Sequence, residues 1–361
     1  MGSSDVQVPE HAAPDREPDR GAARPARARD RARSGEAAAP GPGVAFEPPW
    51  WCRNGHLQTL WGPLVRRRGI ALRRERVATS DGDFVDLDWT EGATGSPLLL
   101  LLHGLEGSSR SHYMIGLARL ALTRGWRTVS LNFRSCSDEL NLLPRFYHSG
   151  DTGDLDAVAG LLAEREPGVR LGAVGFSLGG NVLLKWLGER EHEAPGYVLG
   201  AVAVSVPFDL AACTRLLDRG FRRALYTENF LKGMRDKVRR KAERLGAFVD
   251  VTAATRARTF GEYDEVVTAP LNGFASALDY WTRASSGPYL GRIRRPTLLI
   301  SARDDPFVPP DALPDVRRLP PNVIAEFPTR GGHAGFIDGA PWRATSWAER
   351  RAIAFLDPLL A

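Results

Sequence analysis

The stretch GFSLGGN, residues 175–181, decides the fold, because it joins two segments with different hydrophobic periods. Upstream, residues 169–174 form a short apolar run whose length suits a buried strand. Downstream, residues 178–187 carry apolar side chains at helical spacing. The sequence therefore predicts a strand, a sharp turn at Ser177 and a helix.

Ser177 has a glycine two residues to either side, at positions 175 and 179. Missing side chains at these positions avoid collisions where the strand and the helix approach each other. The turn then exposes the serine hydroxyl above the helix N-terminus. A G-x-S-x-G pattern also arises by chance in a glycine-rich chain, so the strand–turn–helix context is what indicates a nucleophile.

A nucleophilic serine needs an adjacent base, usually an imidazole oriented by a carboxylate. In the strand–turn–helix version of this motif the chain order is serine, acid, histidine. Only His192 and His333 follow Ser177, and we expect His192 to project away from the turn. His333 lies in TRGGHAGF, where two glycines permit a tight loop after the last predicted strand. His333 is the predicted base, and an ordinary surface-loop histidine is the alternative interpretation.

The acid is sought between the serine and the histidine, and LLISARDDPFVPP offers two candidates, Asp304 and Asp305, after a predicted strand. Neighbouring side chains in an extended or turning backbone point in different directions, so only one of them can accept from the imidazole. We favour Asp305, directly before Pro306, and expect Asp304 to form a turn or to cap the loop.

Acyl transfer also needs two N–H donors for the developing oxyanion. The residue after the nucleophile, Leu178, supplies the first backbone N–H. The block HGLEGSS, residues 103–109, follows a leucine-rich strand, and the backbone N–H of Leu105 is the second candidate. The alternative interpretation is a simple turn after a strand.

Composition limits the class of protein. A length of 361 residues with 43% hydrophobic residues permits a large core with an insertion, or two domains. Residues 1–43 almost lack bulky apolar side chains and are predicted to be a disordered tail that fits neither a secretory signal nor a transit peptide. No apolar run reaches the roughly 18 residues of a membrane helix, so a soluble protein is expected.

Charge and cysteine content argue against several partners. Three scattered cysteines without metal-ligand spacing predict free thiols in a reducing, cytoplasmic location and no structural metal. A serine nucleophile with its base and acid needs no cofactor, so none is expected. The net charge of +5 comes without a zinc-finger, RNA-recognition or helix-turn-helix signature. We therefore expect no nucleic-acid partner.

The remaining pattern alternates strands and helices, which predicts a parallel sheet. A hairpin is expected around residues 73–90, strands at 98–102, 126–133, 198–206, 295–300 and 323–327, and helices at 111–124, 151–164 and 347–359. Residues 208–290 lack strong strand patterns and are predicted to be a helical lid insertion, with the core formed by 44–207 and 291–361.

With these residues and motifs, the sequence resembles the α/β-hydrolase superfamily, specifically its YheT-like branch. The resemblance rests on NGHLQTLW (54–61), HGLEGSS, NFRSCS, YHSGDT, GFSLGGN, TAPLNGFASALDYW (268–281), ARDDPF and GGHAGF, and covers nearly everything from about residue 44 onward. It implies an eight-stranded, mostly parallel sheet flanked by helices, a lid after the sixth strand, and a triad of Ser177, Asp305 and His333.

The sequence departs from the family pattern in two places. Ser135 and Asp138 stand where glycines are usual, which indicates a different local loop shape. No counterpart is expected for the N-terminal membrane segment of related animal hydrolases that act on phospholipids.

Three features give weaker signals. The segment 231–246 has seven basic residues and two acids, which fits either a solvated helix face or contact with an anionic lipid surface. The second feature, an aromatic cluster with polar neighbours, either lines an acyl pocket or packs on the core, and it comprises Trp50, Trp51, Trp61, His56 and Gln58. His148, Ser149 and Thr152 are expected to cap the helix that begins near Asp151, although their block, YHSGDT, carries the resemblance and leaves a role near the site open.

These observations predict a serine hydrolase of the carboxylesterase or lipase type that acts on a small-molecule ester. Two alternatives remain open at this stage. An acyltransferase would use the same site with an acceptor other than water, and a non-catalytic binding protein would use the same fold.

Overall fold

The computed structural model describes Gly2, residues 46–65 and residues 69–361. Apart from Gly2, the tail predicted over residues 1–43 lies outside these described residues. The described part is built on one eight-stranded sheet, with the strand order β1-β2-β4-β3-β5-β6-β7-β8. The strands are β1 Arg73–Ala78, β2 Phe84–Trp89, β3 Leu98–Leu102, β4 Arg127–Asn132, β5 Leu171–Phe176, β6 Val198–Val204, β7 Thr297–Ile300 and β8 Val323–Glu326, and a separate short hairpin joins β9 Ile337–Asp338 to β10 Thr345–Ser346.

The sheet is mostly parallel, as predicted. β1 and β2 form the expected antiparallel hairpin, and β2 also pairs antiparallel with β4. The pairs from β4 through β3, β5, β6 and β7 to β8 are all parallel. The carboxyl ends of these parallel strands meet at one edge, which is where ligands bind in open α/β sheets.

Helices cover the sheet and continue into a long connection between β6 and β7. Their bounds are α1 Gly55–Val65, α2 His112–Thr123, α3 Gly153–Arg165, α4 Leu178–Arg190, α5 Leu210–Leu217, α6 Gly220–Arg222, α7 Glu228–Arg240, α8 Ala242–Leu245, α9 Val251–Arg256, α10 Phe260–Tyr263, α11 Ala269–Leu271, α12 Ala277–Ala284 and α13 Trp347–Leu360. Residues 208–290, here called the inserted segment, contain α5 to α12. The assignment of this segment as a separate lid remains a prediction.

The leucine run of β3 shows how the core is layered. Side chains alternate between the two faces of a strand, and all five leucines of Leu98–Leu102 are buried. Leu98, Leu100 and Leu102 pack with α3 and α4 on one face, whereas Leu99 and Leu101 pack with α2 and α13 on the other. Burial of each such side chain contributes about 1.5–3 kcal/mol. A strand with helices on both faces therefore reads as a continuous apolar run.

Candidate active site

Ser177 lies at the turn between β5 and α4 in a backbone conformation that side chains rarely adopt, with φ 52° and ψ −119°. A Cβ atom on Gly175 would lie 2.5 Å from the carbonyl oxygen of Gly179, and one on Gly179 would lie 2.5 Å from that of His103. Only glycine fits at either position. The Ser177 N–H donates to the Val204 carbonyl at 2.8 Å, which holds the turn against β6.

The loops after β7 and β8 bring two further predicted residues to this turn. His333 Nε2 lies 2.9 Å from Ser177 Oγ, and His333 Nδ1 lies 2.9 Å from Asp305 Oδ2. The Asp305 side chain is fully buried and that of His333 is 9% exposed. A carboxylate accepts the Nδ1 proton, so Nε2 is left free to accept from the serine hydroxyl. The arrangement can remove a proton from Ser177 as its oxygen attacks.

The adjacent acid points elsewhere. Asp304 Oδ1 accepts from the Gly332 N–H at 2.9 Å, whereas Asp305 contacts the imidazole and also accepts from the Phe307 N–H at 2.8 Å. Burial raises the pKa of Asp304, while the Gly332 hydrogen bond acts in the opposite direction. Asp304 therefore holds the loop that carries His333 through the Gly332 N–H, in line with the loop-capping role expected for it.

Helix α1 also supports the loop that carries His333, a role that residue spacing did not predict. Thr59 Oγ1 accepts from the His333 N–H at 2.9 Å. The Phe307 ring stacks on the imidazole, with the ring centroids 4.0 Å apart. Both residues lie inside blocks that carried the family resemblance, NGHLQTLW and ARDDPF. Those blocks were the available signal, but residue spacing alone does not show which loop they face.

The loop after β3, residues 103–107, passes directly beside the nucleophile. A Cβ atom on Gly104 would lie 3.2 Å from that of Ser177. His103 is fully buried; its Nε2 accepts from the Phe133 N–H, and its Nδ1–H donates to the Gly104 carbonyl at 2.7 Å. Burial lowers the pKa of His103 to about 4, so the ring is neutral and keeps one tautomer. Tyr113 Oη accepts from the Gly104 N–H at 3.0 Å.

The two predicted oxyanion donors flank Ser177. Leu178 is the first residue of α4, where a backbone N–H has no acceptor in a preceding turn. Among the hydrogen bonds between described residues, none uses the N–H of Leu105, although its neighbours Gly104 and Glu106 both donate to tyrosine hydroxyls. Both N–H groups are therefore available to an oxygen bound beside the serine.

One cavity is lined by Ser177, His333, Leu105 and Leu178. The centre of a water-sized sphere can move through about 110 Å³ of it. The other lining residues from the core are Tyr147, His148, Ser149, Pro207 and Phe307, and those from the inserted segment are Leu210, Cys213, Thr214, Leu217, Phe230, Met234, Phe260, Asp264, Thr268, Tyr280 and Trp281. The inserted segment thus supplies more than half of a largely apolar wall.

One acid in this wall carries no ion pair that would favour its charged form. Asp264 accepts from Thr268 Oγ1 at 2.6 Å and from Trp281 Nε1 at 2.8 Å. Burial raises its pKa to about 6, despite these two hydrogen bonds. Asp264 has no distinguishing signal in the sequence, because nothing in its local pattern shows that this part of the inserted segment faces the cavity.

No member of the aromatic cluster near the N-terminus is among the residues that line this cavity. Trp50 is 80% exposed, and Trp51 Nε1 donates to the Gly339 carbonyl at 2.9 Å. Gln58 is fully buried; its Nε2 donates to the Cys52 carbonyl, and its Oε1 accepts from the Ile337 N–H. The structure therefore supports the packing interpretation for Trp51 and Gln58, but not for Trp50.

The expected cap of α3 is wrong. Thr152 occupies the N-cap position, but its hydroxyl donates to Glu189 Oε2 at 2.8 Å and accepts from no N–H of the helix. His148 and Ser149 line the cavity, and burial lowers the pKa of His148 to about 3. A nearby acceptor on α4 outcompetes the local cap, which sequence spacing cannot reveal.

The basic segment 231–246 fits neither of the two expectations as a whole. Lys237 Nζ donates to Glu106 Oε1 at 2.6 Å, and both side chains are 15% exposed. Lys241 is buried and donates to Asn141 Oδ1 at 2.9 Å and to the Leu143 carbonyl. Burial lowers the pKa of Lys241 to about 8. Arg244 Nη1 also donates to the Leu142 carbonyl at 3.1 Å, so three of the seven basic residues hold the inserted segment to the core.

The departure from the family pattern at residue 135 has a visible consequence. Ser135 keeps the left-handed conformation that a glycine would favour, with φ 64°. Its hydroxyl donates to Asn141 Oδ1 at 2.6 Å and accepts from the Asn141 N–H at 3.1 Å. Asp138 forms an ion pair with Arg74. These contacts offset the strain of a non-glycine residue at that position.

None of the helices that the structure describes combines the length and the apolar character needed to cross a bilayer.

The fold and the site define the class of protein. Residues 97–340 match the family described as the alpha/beta hydrolase fold, and the chain belongs to that family. Within it the chain is YheT-like: it is 39% identical over 305 residues to the protein named "Putative esterase YheT" of Escherichia coli (strain K12), a match that covers 82% of this chain and 88% of the relative.

More distant relatives have related names. The chain is 30% identical to the phospholipase ABHD3 of Mus musculus, over 84% of this chain and 76% of the relative. Among solved structures, the esterase Pf2001 of Pyrococcus furiosus superposes with a TM-score of 0.52 at 18% identity, covering 81% of this chain and 93% of that one. At that identity the superposition shows the fold alone.

Proposed function

We propose that the protein is a serine hydrolase that cleaves carboxylic esters through an acyl-enzyme on Ser177. One observation carries the proposal. Ser177 Oγ, the His333 imidazole and the Asp305 carboxylate form a continuous hydrogen-bonded series at the wall of a cavity, with both links at 2.9 Å. A serine hydroxyl is a weak nucleophile unless a base takes its proton, and this series supplies one.

In the first half-reaction, Ser177 Oγ attacks the ester carbonyl carbon while its proton passes to His333 Nε2. Asp305 stabilises the imidazolium that forms. The carbonyl oxygen becomes an oxyanion and accepts from the N–H groups of Leu105 and Leu178. The ester C–O bond then breaks, and the leaving alkoxide takes the proton from His333 Nε2 and departs as the alcohol.

The second half-reaction uses water. His333 Nε2 removes a proton from the water as it attacks the acyl carbon, and the same two N–H groups stabilise the second oxyanion. The bond to Ser177 Oγ breaks, the serine regains its proton from His333, and a carboxylic acid is released. The groups named here complete this cycle without a further reactant.

The substrate class follows from the cavity wall and from the names of the relatives. The wall is mostly aliphatic and aromatic, which suits the acyl chain of a small-molecule or lipid-like ester. Relatives named as an esterase and a phospholipase support ester bonds as the target. The cytoplasmic location inferred from the cysteine content stays a prediction.

The proposal predicts that Ser177→Ala and His333→Ala each lower kcat/KM for p-nitrophenyl butyrate by about 10³-fold or more, because each removes a member of a unit that acts together. The measurement is the release of p-nitrophenol together with titration of free butyric acid.

His192→Ala is the matched control, since His192 lies beyond α4 and does not line the cavity. Its turnover should equal that of the wild type. Full turnover by Ser177→Ala would contradict the proposal.

A further inference from the structure

The residue after the proposed oxyanion donor Leu105 is unusually constrained. Glu106 has φ 53°, a conformation that non-glycine residues seldom adopt. Its N–H donates to Tyr147 Oη at 2.8 Å, and the same hydroxyl lies 3.2 Å from Glu106 Oε1, to which it donates. Backbone and side chain of Glu106 are thus held by one tyrosine, which stacks on Phe133 beneath the loop.

A helix of the inserted segment completes this arrangement. Lys237, on α7, donates to Glu106 Oε1 at 2.6 Å. On the preceding turn, a Cβ atom on Gly233 would lie 2.5 Å from Glu106 Oε2, so α7 packs directly on the carboxylate. The loop after β3 and the inserted segment are therefore joined by a buried ion pair.

The pair is ionic and shielded from water. Burial disfavours the charged form of Lys237, but Cys136 and Glu106 beside it leave its pKa raised. Only 15% of each side chain is exposed. A buried ion pair contributes little net stability, because desolvation opposes the attraction, yet loss of one partner is costly. Its main effect is to fix the geometry of the groups that carry it.

The pair does not reach the reacting atoms. Neither Glu106 nor Lys237 lines the cavity that contains Ser177; both line a smaller neighbouring cavity, and the two cavities share Leu105, Tyr147, Met234 and Thr268. The shortest connection from the pair to the proposed oxyanion donor is the backbone of the loop, which joins Glu106 to Leu105 by one peptide bond.

We propose that Glu106 and Lys237 are positioning residues, through which helix α7 of the inserted segment holds the Leu105 N–H in place for the oxyanion. This inference rests on the proposed function for its catalytic consequence. A donor displaced by about 1 Å can cost roughly 10²-fold in rate, so the tie to α7 affects the transition state more than substrate binding.

The test compares Lys237→Met with Lys237→Arg and with Lys232→Met, the same change at an exposed lysine on the same helix. For p-nitrophenyl butyrate, Lys237→Met should lower kcat about tenfold to a hundredfold and leave KM within about twofold. Lys237→Arg, which keeps the charge and a donor, should retain kcat within about threefold. Lys232→Met should match the wild type.

A second variant addresses folding. Lys237→Met leaves the Glu106 carboxylate buried without its partner, whereas Glu106→Gln with Lys237→Met removes both charges. The double variant should keep the wild-type urea midpoint and still show the lowered kcat. Recovery of kcat in the double variant would mean that Lys237→Met acted only through an unpaired charge, and would overturn the inference.

Hydrogen exchange separates this inference from the proposed function. Peptides covering residues 103–109 should exchange faster in both Lys237 variants that lack the charge than in Lys232→Met, whether or not the ester is turned over. Unchanged exchange together with unchanged kcat overturns the inference. A wild type without Ser177-dependent turnover overturns the proposed function, while the exchange result still decides whether α7 holds the loop.

Discussion

Individual residues around the nucleophile hold backbone conformations that cost free energy. Ser177, Glu106, Ser205 and Ala334 all have φ between 51° and 54°, and all lie in the turns and loops around the proposed site. A left-handed conformation costs a non-glycine residue roughly 1–2 kcal/mol. Neighbouring residues hold these conformations in place. Ser205 Oγ, for example, accepts from the Ala334 N–H at 2.8 Å. Strain that clusters in this way is typical of functional sites.

The two adjacent acids should differ sharply when each is changed to asparagine. Asp305→Asn removes the acceptor that fixes the His333 tautomer, and should lower kcat by about 10³- to 10⁴-fold. Asp304→Asn keeps an acceptor oxygen for the Gly332 N–H, and should retain kcat within about tenfold. Steady-state kinetics with p-nitrophenyl butyrate measure both values.

Asp304→Asn serves as the matched control for Asp305→Asn, because the two changes are chemically identical and one residue apart. Equal losses in the two variants would show that loop integrity, and not the tautomer of His333, determines the rate.

Residue types and chain order led to Ser177, Asp305 and His333 as a candidate group, because a nucleophile on this kind of turn is followed along the chain by its acid and then its histidine. The structure brings the three side chains together, and their catalytic roles stay a prediction. They did not predict Thr59 or Phe307, whose contacts with His333 depend on how distant loops pack.

Among the elements, the turn between β5 and α4 needs glycine for a steric reason that helix propensities do not contain. A Cβ atom on Gly179 would lie 2.6 Å from the Leu102 carbonyl oxygen, in addition to its overlap with His103. By contrast, Gly160 in α3 has open space around the same position. Two helix glycines in one protein therefore have opposite requirements.

Gly179→Ala should destabilise the protein by about 1–3 kcal/mol, because the new methyl group forces backbone apart at the turn. Gly160→Ala should stabilise it by about 0.4–1 kcal/mol, because alanine loses less conformational entropy in a helix. Urea unfolding of both variants measures the change in the free energy of unfolding. If the slopes are equal, the shift of each midpoint gives the sign of that change. A Gly179→Ala variant as stable as the wild type would contradict the close packing of the turn.

The order of the elements followed from hydrophobic period, and their ends fell within a few residues of the prediction. The predicted helix 111–124 is α2, His112–Thr123, and the predicted closing helix 347–359 is α13, Trp347–Leu360. The cap at Thr152 failed because its hydroxyl found Glu189 on another helix. The local sequence pattern predicts where helices and strands lie. Which partner a polar side chain bonds depends on its neighbours in the tertiary structure.

At the scale of the whole molecule, the cavity is a joint product of the sheet edge and the inserted segment. The sheet brings the loops with Ser177, Asp305 and His333 to one edge, which the alternating strand and helix pattern predicted. The shape of the cavity could not be predicted, since residues 208–290 contribute most of its wall. Hydrophobic periodicity does not show how the short helices of this segment pack together. The proposed function therefore predicts that changes in the inserted segment alter the preference for acyl chain length.

The most direct test of the central claim is covalent labelling of the folded protein with a fluorophosphonate, followed by intact mass and peptide mapping. Only an activated serine reacts rapidly with this reagent. The account predicts one adduct, on Ser177, in the wild type, and a rate lowered by about 10³-fold or more in His333→Ala. Absence of an adduct on the folded wild type, or equally fast labelling in His333→Ala, would contradict it.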